Sequence, residues 1–251
     1  MRLFDTHCHF ETADAGEIAD ILSRAKAAGV ERLMAVGGSP ALNQSAMAAA
    51  SLRGGDIPSV ALAVGLDRDQ IGSPATPIPV APALSPSAWG EIGLDYHYSP
   101  KTREAQMALF ASQLEEARRR NLPVVIHTRE AAEDTVALLK EIPSRGIIHC
   151  FTGTPQEAKS YLDMGFYVSI SGIVTFRAAD NVRETALFIP DDRILIETDS
   201  PFLAPVPMRG KPNEPAFIKH TCEFLANLRK VKPDDFAELT FANAERILSA
   251  P

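Results

Sequence analysis

The chain has little with which to staple or anchor itself. It holds three cysteines in 251 residues, widely spaced, and two of them (Cys8 and Cys150) sit directly beside histidines. That excludes a disulfide framework and sets the expectation of a reducing, cytoplasmic home. No apolar run reaches the ~20 residues of a membrane span, so no membrane is expected as a partner. The opening Met1-Arg2-Leu3-Phe4 reads as a strand, not as a charged-then-apolar secretion signal. Basic charge is also short: 25 Lys and Arg against 32 Asp and Glu leave a net charge of −7. A broad basic face is excluded, and any nucleic-acid contact must be local and helped by bound cations.

What the chain has is a repeated unit of short apolar run, turn and helix-patterned stretch. Eight runs are read: Arg2–Asp5, Arg32–Val36, Val60–Val64, Ala88–Gly93, Pro123–Ile126, Gly146–Ile148, Phe166–Ile170 and Arg193–Ile196. Between them Ile18, Ile21, Leu22 and Ala25 recur at helical spacing and stop at Gly29, and Ser39-Pro40 opens an Ala-rich helix from about Ala41 to Leu52. Met107, Phe110, Ala111 and Leu114 mark a third helical face. Further helices are expected over Ala131–Glu141, Gln156–Met164, Pro215–Leu228 and Pro233–Ile247. Prolines at 74, 77, 79, 82 and 86 forbid an ordinary helix there and predict an irregular connection, or at most a short helical turn. The rhythm resumes at once. The expectation is therefore a single domain over 1–251: an α/β fold closed as a (β/α)8 TIM barrel.

Such a barrel works at the C-terminal ends of its strands. His7 and His9 follow the first run, Glu91 lies late in the fourth, His127 and His149 end the fifth and sixth, and Asp199 follows the eighth. Taken singly, each has an ordinary reading: a loop pair, core histidines, a salt-bridged glutamate, a turn cap at Ser200-Pro201. Together they are too many for one hydrolytic ion, which takes three protein ligands and keeps a place for water. They suit two divalent ions, with His7, His9 and Asp199 on one, His127 and His149 on the other, and Glu91 bridging. Zinc, manganese and, less well, magnesium fit such ligands. An ion pair of this kind can activate water and stabilise an in-line phosphoryl displacement, with Asp199 holding and deprotonating the water. Asp5 and Glu197 are expected behind the ligand imidazoles. His97 is a candidate substrate contact after the fourth run, and Arg209 with Lys211 one after the eighth, where barrels often bind phosphate. Cys8 and Cys150 alternate with ligands and are expected to point outward into the packing. His220 is expected at the surface of a late helix.

Several stretches resemble the TatD-type metal-dependent deoxyribonucleases, within the amidohydrolase-like barrels. They are Phe4-Asp5-Thr6-His7-Cys8-His9, Gly90-Glu91-Ile92-Gly93-Leu94-Asp95-Tyr96, 122–131 (Leu-Pro-Val-Val-Ile-His-Thr-Arg-Glu-Ala), Ile148-His149-Cys150-Phe151-Thr152-Gly153 and Leu195-Ile196-Glu197-Thr198-Asp199-Ser200-Pro201. Arg209-Gly210-Lys211, Asn213-Glu214-Pro215 and Asn243-Ala244 continue the match in order. The resemblance implies a barrel hydrolase with two divalent ions on the six residues above. It also implies cleavage of phosphodiester bonds and 3′-end trimming of single-stranded DNA as the substrate partner. One stretch departs. Where the family carries a Gly-x-His-Pro-like motif after the third strand, this chain reads Val64-Gly65-Leu66-Asp67-Arg68-Asp69. The missing histidine belongs to the substrate-facing rim, so the departure bears on substrate rather than on metal. An esterase or amidase acting on a small molecule or on D-aminoacyl-tRNA, and a non-catalytic barrel, are the alternatives. The sequence fixes no oligomeric state, and a monomer suffices for the site.

Overall fold

The computed structural model describes residues 1–73 and 78–249. Its eight strands are β1 (Leu3–Cys8), β2 (Val30–Gly38), β3 (Ser59–Leu66), β4 (Ala88–Asp95), β5 (Val124–Arg129), β6 (Gly146–Ile148), β7 (Tyr167–Ile170) and β8 (Ile194–Ile196). They pair in chain order and in parallel. Helices α1 (Ala15–Ala27), α2 (Pro40–Ser51), α3 (Arg103–Arg120), α4 (Ala132–Glu141), α5 (Pro155–Asp163), α6 (Asp180–Phe188), α7 (Ile218–Arg229) and α8 (Pro233–Ser249) complete the TIM barrel. Local chemistry starts several of them. Asp14 accepts from the Gly16 and Glu17 amides at the head of α1, and Ser39 caps α2 with Pro40 in its first turn. A reciprocal Thr154–Glu157 pair opens α5.

Two differences from the sequence reading matter. Helix α6, between the seventh and eighth strands, was not anticipated. Its Asp-Asn-Val-Arg-Glu-Thr-Ala-Leu-Phe mixes weak helix formers, and burial of Val182, Thr185 and Ala186 is what holds it. Strands β1, β4 and β5 run further than their apolar cores, so His127 lies inside β5 instead of ending it. Between β3 and β4 the described residues form only a 3-10 turn, Arg68–Gln70. Prolines 74 and 77 of the expected irregular connection lie outside the described residues.

The core has two layers. Phe4, Met34, Val36, Ala61, Ala63, Ala88, Val125, Ile147, Tyr167 and Leu195 fill the barrel interior, with Phe241, Ala244 and Ile247 of α8 packed against them. A larger cluster, including Leu3, Cys8, Leu33, Trp89, Ile92 and Ile126, lies between strands and helices. The floor of the barrel is therefore apolar, and polar groups collect at the other end. Strand β8 meets β1 through a bridge at Cys8 and Ser200: the Asp199 amide donates to the His7 carbonyl (2.9 Å) and the His9 amide to the Ser200 carbonyl (2.8 Å). Buried side chains reinforce this seam. The Asp5 carboxylate accepts from the Thr198 amide (2.9 Å) and hydroxyl (2.6 Å), and the Thr6 hydroxyl donates to the Ile196 carbonyl (3.0 Å).

Candidate metal centre

Strict alternation along β1 and β4 would not deliver the two central residues. Counting from Phe4, which faces the interior, His7 should face outward; counting from Ala88, so should Glu91. An extra residue corrects both. Three steps on β1 from Asp5 to Cys8 oppose two on β2 from Leu33 to Ala35, and three on β4 from Trp89 to Ile92 oppose two on β5 from Val124 to Ile126. Each bulge re-aims the side chains that follow it. His7 and Glu91 turn into the barrel mouth while Cys8 and Ile92 fall into the outer core. Glycines make the second bulge possible. A Cβ on Gly90 would stand 2.7 Å from Val125 Cβ, and one on Gly93 (φ +142°) would stand 2.0 Å from the His127 carbonyl oxygen.

Glu91 then presents one oxygen to each histidine pair. Its Oε2 lies 3.5 Å from His7 Nε2 and 3.4 Å from His9 Nε2; its Oε1 lies 3.4 Å from His127 Nδ1 and 3.4 Å from His149 Nε2. Within the pairs the nitrogens are 3.0 Å (His7, His9) and 3.3 Å (His127, His149) apart. Donors ~2.0–2.2 Å from a tetrahedral zinc ion stand roughly 3.3–3.6 Å from one another. Asp199 Oδ1 completes the first group at 3.8 Å from His7 Nε2 and 3.7 Å from His9 Nε2. Among the described residues three sets can hold an ion on this spacing: His7 with His9 and Glu91, His7 with His149 and Asp199, and Glu91 with His127 and His149.

Neighbours fix which nitrogen faces inward for His9, His127 and His149. His9 Nδ1 is 2.9 Å from the Val36 carbonyl, which can only accept, so Nδ1 carries the proton and Nε2 keeps its lone pair. His127 Nε2 is 3.0 Å from Asp95 Oδ2, which leaves Nδ1 for the centre. His149 Nδ1 is 3.3 Å from Glu197 Oε1 and its ring stacks on that of His7 at 3.9 Å. His7 Nδ1 and Glu197 Oε2 are buried without a hydrogen-bond partner. The protonation pattern follows from burial and this crowding. Burial pushes the His7 pKa down to about 3, helped by the neighbouring His149. Burial works against the charge of Glu91, but four imidazoles around it hold its pKa well below the carboxylate range. Burial raises Asp199 to about 6 against the pull of His149 and His9. The rim thus offers neutral imidazole at His7 and ionised carboxylate at Glu91, the forms that bind metal.

Comparison with known proteins now gives a family. The family model described as TatD related DNase matches residues 4–249. The chain belongs to the TatD family. It is 37% identical over 254 residues to Bacillus subtilis YabD, described as an uncharacterized metal-dependent hydrolase, covering 98% of each chain. It spans 62% of Escherichia coli YcfH, of the same description, at 46% identity over 163 residues and 64% of this chain. It spans 65% of the 3′-5′ ssDNA/RNA exonuclease TatD of a Rahnella strain, at 38% identity over 171 residues and 64% of this chain. The crystal structure of the TatD homologue YJJV from Escherichia coli superposes with a TM-score of 0.86 at 26% identity, covering 100% of this chain and 99% of that one. The curated relatives YabD and YcfH are both described as metal-dependent hydrolases.

In this TatD-family chain the remaining sequence candidates fall at varied distances from the centre. Glu197 lies on His149. Asp5 does not face an imidazole. Its carboxylate takes the Thr198 amide and hydroxyl and the His7 amide, and so acts on the backbone carrying His7 and Asp199. His97 pairs with Glu130 (2.7 Å) in an exposed loop, and Arg209 lays its guanidinium over the Phe176 ring at 4.0 Å. Neither has a contact with the six central residues. Cys8 donates to the Met34 carbonyl in the outer core, while half-buried Cys150, with φ +44°, donates to Ser171. Two residues at the centre escaped the sequence reading. Asp95, on His127, shares the strand face of Glu91 four residues on, a parity signal that was available. Arg68 donates from Nη1 to Glu91 Oε1 at 2.9 Å, and no spacing rule announces it.

Proposed function

We propose that the chain is a two-metal phosphodiesterase that trims single-stranded DNA from its 3′ end. The observation that carries this reading is the division of Glu91, with one oxygen toward His7 and His9 and the other toward His127 and His149. Two divalent ions of the zinc, manganese or magnesium kind would lie between these groups, with His7, His9 and Asp199 on one, His127 and His149 on the other, and Glu91 shared. When bound, such ions polarise a phosphoryl oxygen and lower the pKa of water. The protein's own part is positional and protonic. Asp95 and Glu197 fix the His127 and His149 rings, and Asp5 holds the Thr198 segment on which Asp199 rides. The Asp199 carboxylate, 3.8 Å from His7 Nε2 and 3.7 Å from His9 Nε2, is placed to hold a water and take its proton. A similar relative whose name gives 3′-5′ ssDNA/RNA exonuclease activity supports the substrate. Three free thiols support a cytoplasmic setting, and one barrel domain acting as a monomer supplies every group invoked.

The test is end-labelled single-stranded DNA beside a panel of aryl esters, with and without added Mn2+. Metal-dependent 3′ trimming that disappears in Asp199→Asn while that variant still takes up Mn2+ is the expected result. Turnover of esters alone would replace this reading with a small-molecule esterase. A folded chain that takes up no metal would leave a non-catalytic barrel.

A further inference from the structure

The stretch after β3 departs from the family's histidine and proline, and the structure shows what stands in their place. Asp67 is occupied locally. Its Oδ1 accepts from the Asp69 amide at 2.9 Å and caps the turn, and its Oδ2 lies against Gly38. Arg68 is the residue that reaches inward. Its Nη1 is 2.9 Å from Glu91 Oε1, the oxygen that also faces His127 and His149, and its side chain is only 19% exposed. Its buried Nε makes no hydrogen bond and, among the described residues, has only the Asp69 carboxylate nearby, at 3.5 Å. The backbone beneath is firmly held. Asn43 bonds the Gly65 carbonyl and both the Gly65 and Gly38 amides, and the Asp67 amide donates to the Gly38 carbonyl at 2.8 Å.

We propose that Arg68 is a specificity-determining residue that recognises an anionic phosphoryl oxygen at this centre. The inference rests on the hydrolase reading above and names the group that selects its substrate. Arginine stays charged at any working pH, and its planar donors match phosphate oxygens in pairs. Placed within hydrogen-bond distance of Glu91, it stands beside any oxygen brought to the centre. Glu91, His127 and His149 would hold a cation there, Arg68 would then lose its hold on Oε1, and an anion arriving would offer the guanidinium a replacement partner. A neutral ester offers no such partner. Arg68 therefore answers the acidic character that Asp67 brings to this rim, and it favours phosphoesters over neutral esters.

The experiment compares wild type, Arg68→Gln and Arg68→Lys. Each is titrated with Mn2+ and then with inorganic phosphate by calorimetry. Each is then assayed on bis(p-nitrophenyl) phosphate and p-nitrophenyl acetate. The expected result is Mn2+ uptake by all three, with at least tenfold weaker phosphate binding in Arg68→Gln and partial recovery in Arg68→Lys. The kcat/KM of Arg68→Gln should fall at least tenfold on the phosphodiester and stay within twofold on any acetate turnover. Equal phosphate affinity in wild type and Arg68→Gln would reduce Arg68 to a counter-ion of Glu91 and overturn the proposal. So would parallel losses on both substrates, or loss of Mn2+ uptake in Arg68→Gln alone. A wild type that takes up no Mn2+ would overturn the hydrolase reading and this proposal together.

Discussion

Asp95→Asn should weaken one of the two metal sites proposed at the centre, through a tautomer rather than through a lost ligand. Asp95 Oδ1 accepts from the His97 and Tyr98 amides at 2.9 and 3.0 Å, and Oδ2 accepts from His127 Nε2 at 3.0 Å. Burial raises its pKa, but His127 and the Tyr98 amide prevail and leave it at about 2, so it is ionised at any working pH. An asparagine has one oxygen for these two tasks. If its amide nitrogen turned to the loop, two N–H donors would lose their acceptor, at ~1 kcal/mol each or more. The oxygen therefore stays with the loop by about 2 kcal/mol, and the NH2 faces His127. His127 Nε2 must then accept, its proton moves to Nδ1, and the nitrogen facing Glu91 and His149 no longer has a lone pair to give. Changes to such supporting partners typically weaken metal affinity about 10- to 100-fold. Calorimetric titration with Mn2+ should show one site near wild-type strength and one weakened by that factor, with the cooperative unfolding transition retained. Two sites of unchanged affinity would refute the tautomer argument.

Stripping metal with a chelator should lower thermal stability. If the two proposed ions are held at 100 times their dissociation constants, they would contribute about 2.7 kcal/mol each, a Tm change on the order of 10 °C by scanning calorimetry; an unchanged Tm would mean that the centre holds nothing tightly. Burial lowers the His149 pKa, but Glu91 and Glu197 outweigh it and raise it well above the usual value, so metal must displace a proton there. Mn2+ affinity should therefore fall with falling pH, and the binding heat should depend on the buffer's ionisation enthalpy; buffer-independent heats would contradict this. Gly93→Ala should cost ~3 kcal/mol or more, since its Cβ would meet the His127 carbonyl at 2.0 Å in a backbone conformation that side chains avoid. A urea midpoint close to wild type would show that β4 and β5 approach less closely than described.

The barrel was legible because its signal is periodic. Apolar runs separated by capped, amphipathic stretches survive even where exact bounds do not, and eight of them in sequence leave few architectures open. The six central residues were legible for a chemical reason: imidazole and carboxylate at the ends of apolar strands are costly unless something uses them. What escaped depends on geometry that side-chain chemistry does not encode. Plain alternation explains His7, Cys8 and His9 among themselves but not their relation to Phe4, because the correcting bulge is a property of two strands in register. Arg68 follows a cap at Asp67 and enters the centre only because the turn at 68–70 points it there. Asp5 looked like a partner for an imidazole, yet the closing seam claims it. Helix α6 was missed because its stability comes from the surface it covers, not from its own residues.

The joint between β1 and β8 is made from the same short stretches that frame the mouth, residues 5–9 and 198–200. Any breathing that parts these ends drags His7 and His9 away from Asp199, so loosening the cylinder and disarming it are one event. A cation seated there would act as a rivet between polypeptide segments about 190 residues apart in the chain. Slower hydrogen exchange at the His9 and Asp199 amides would then serve as a direct gauge of how fully the centre is charged.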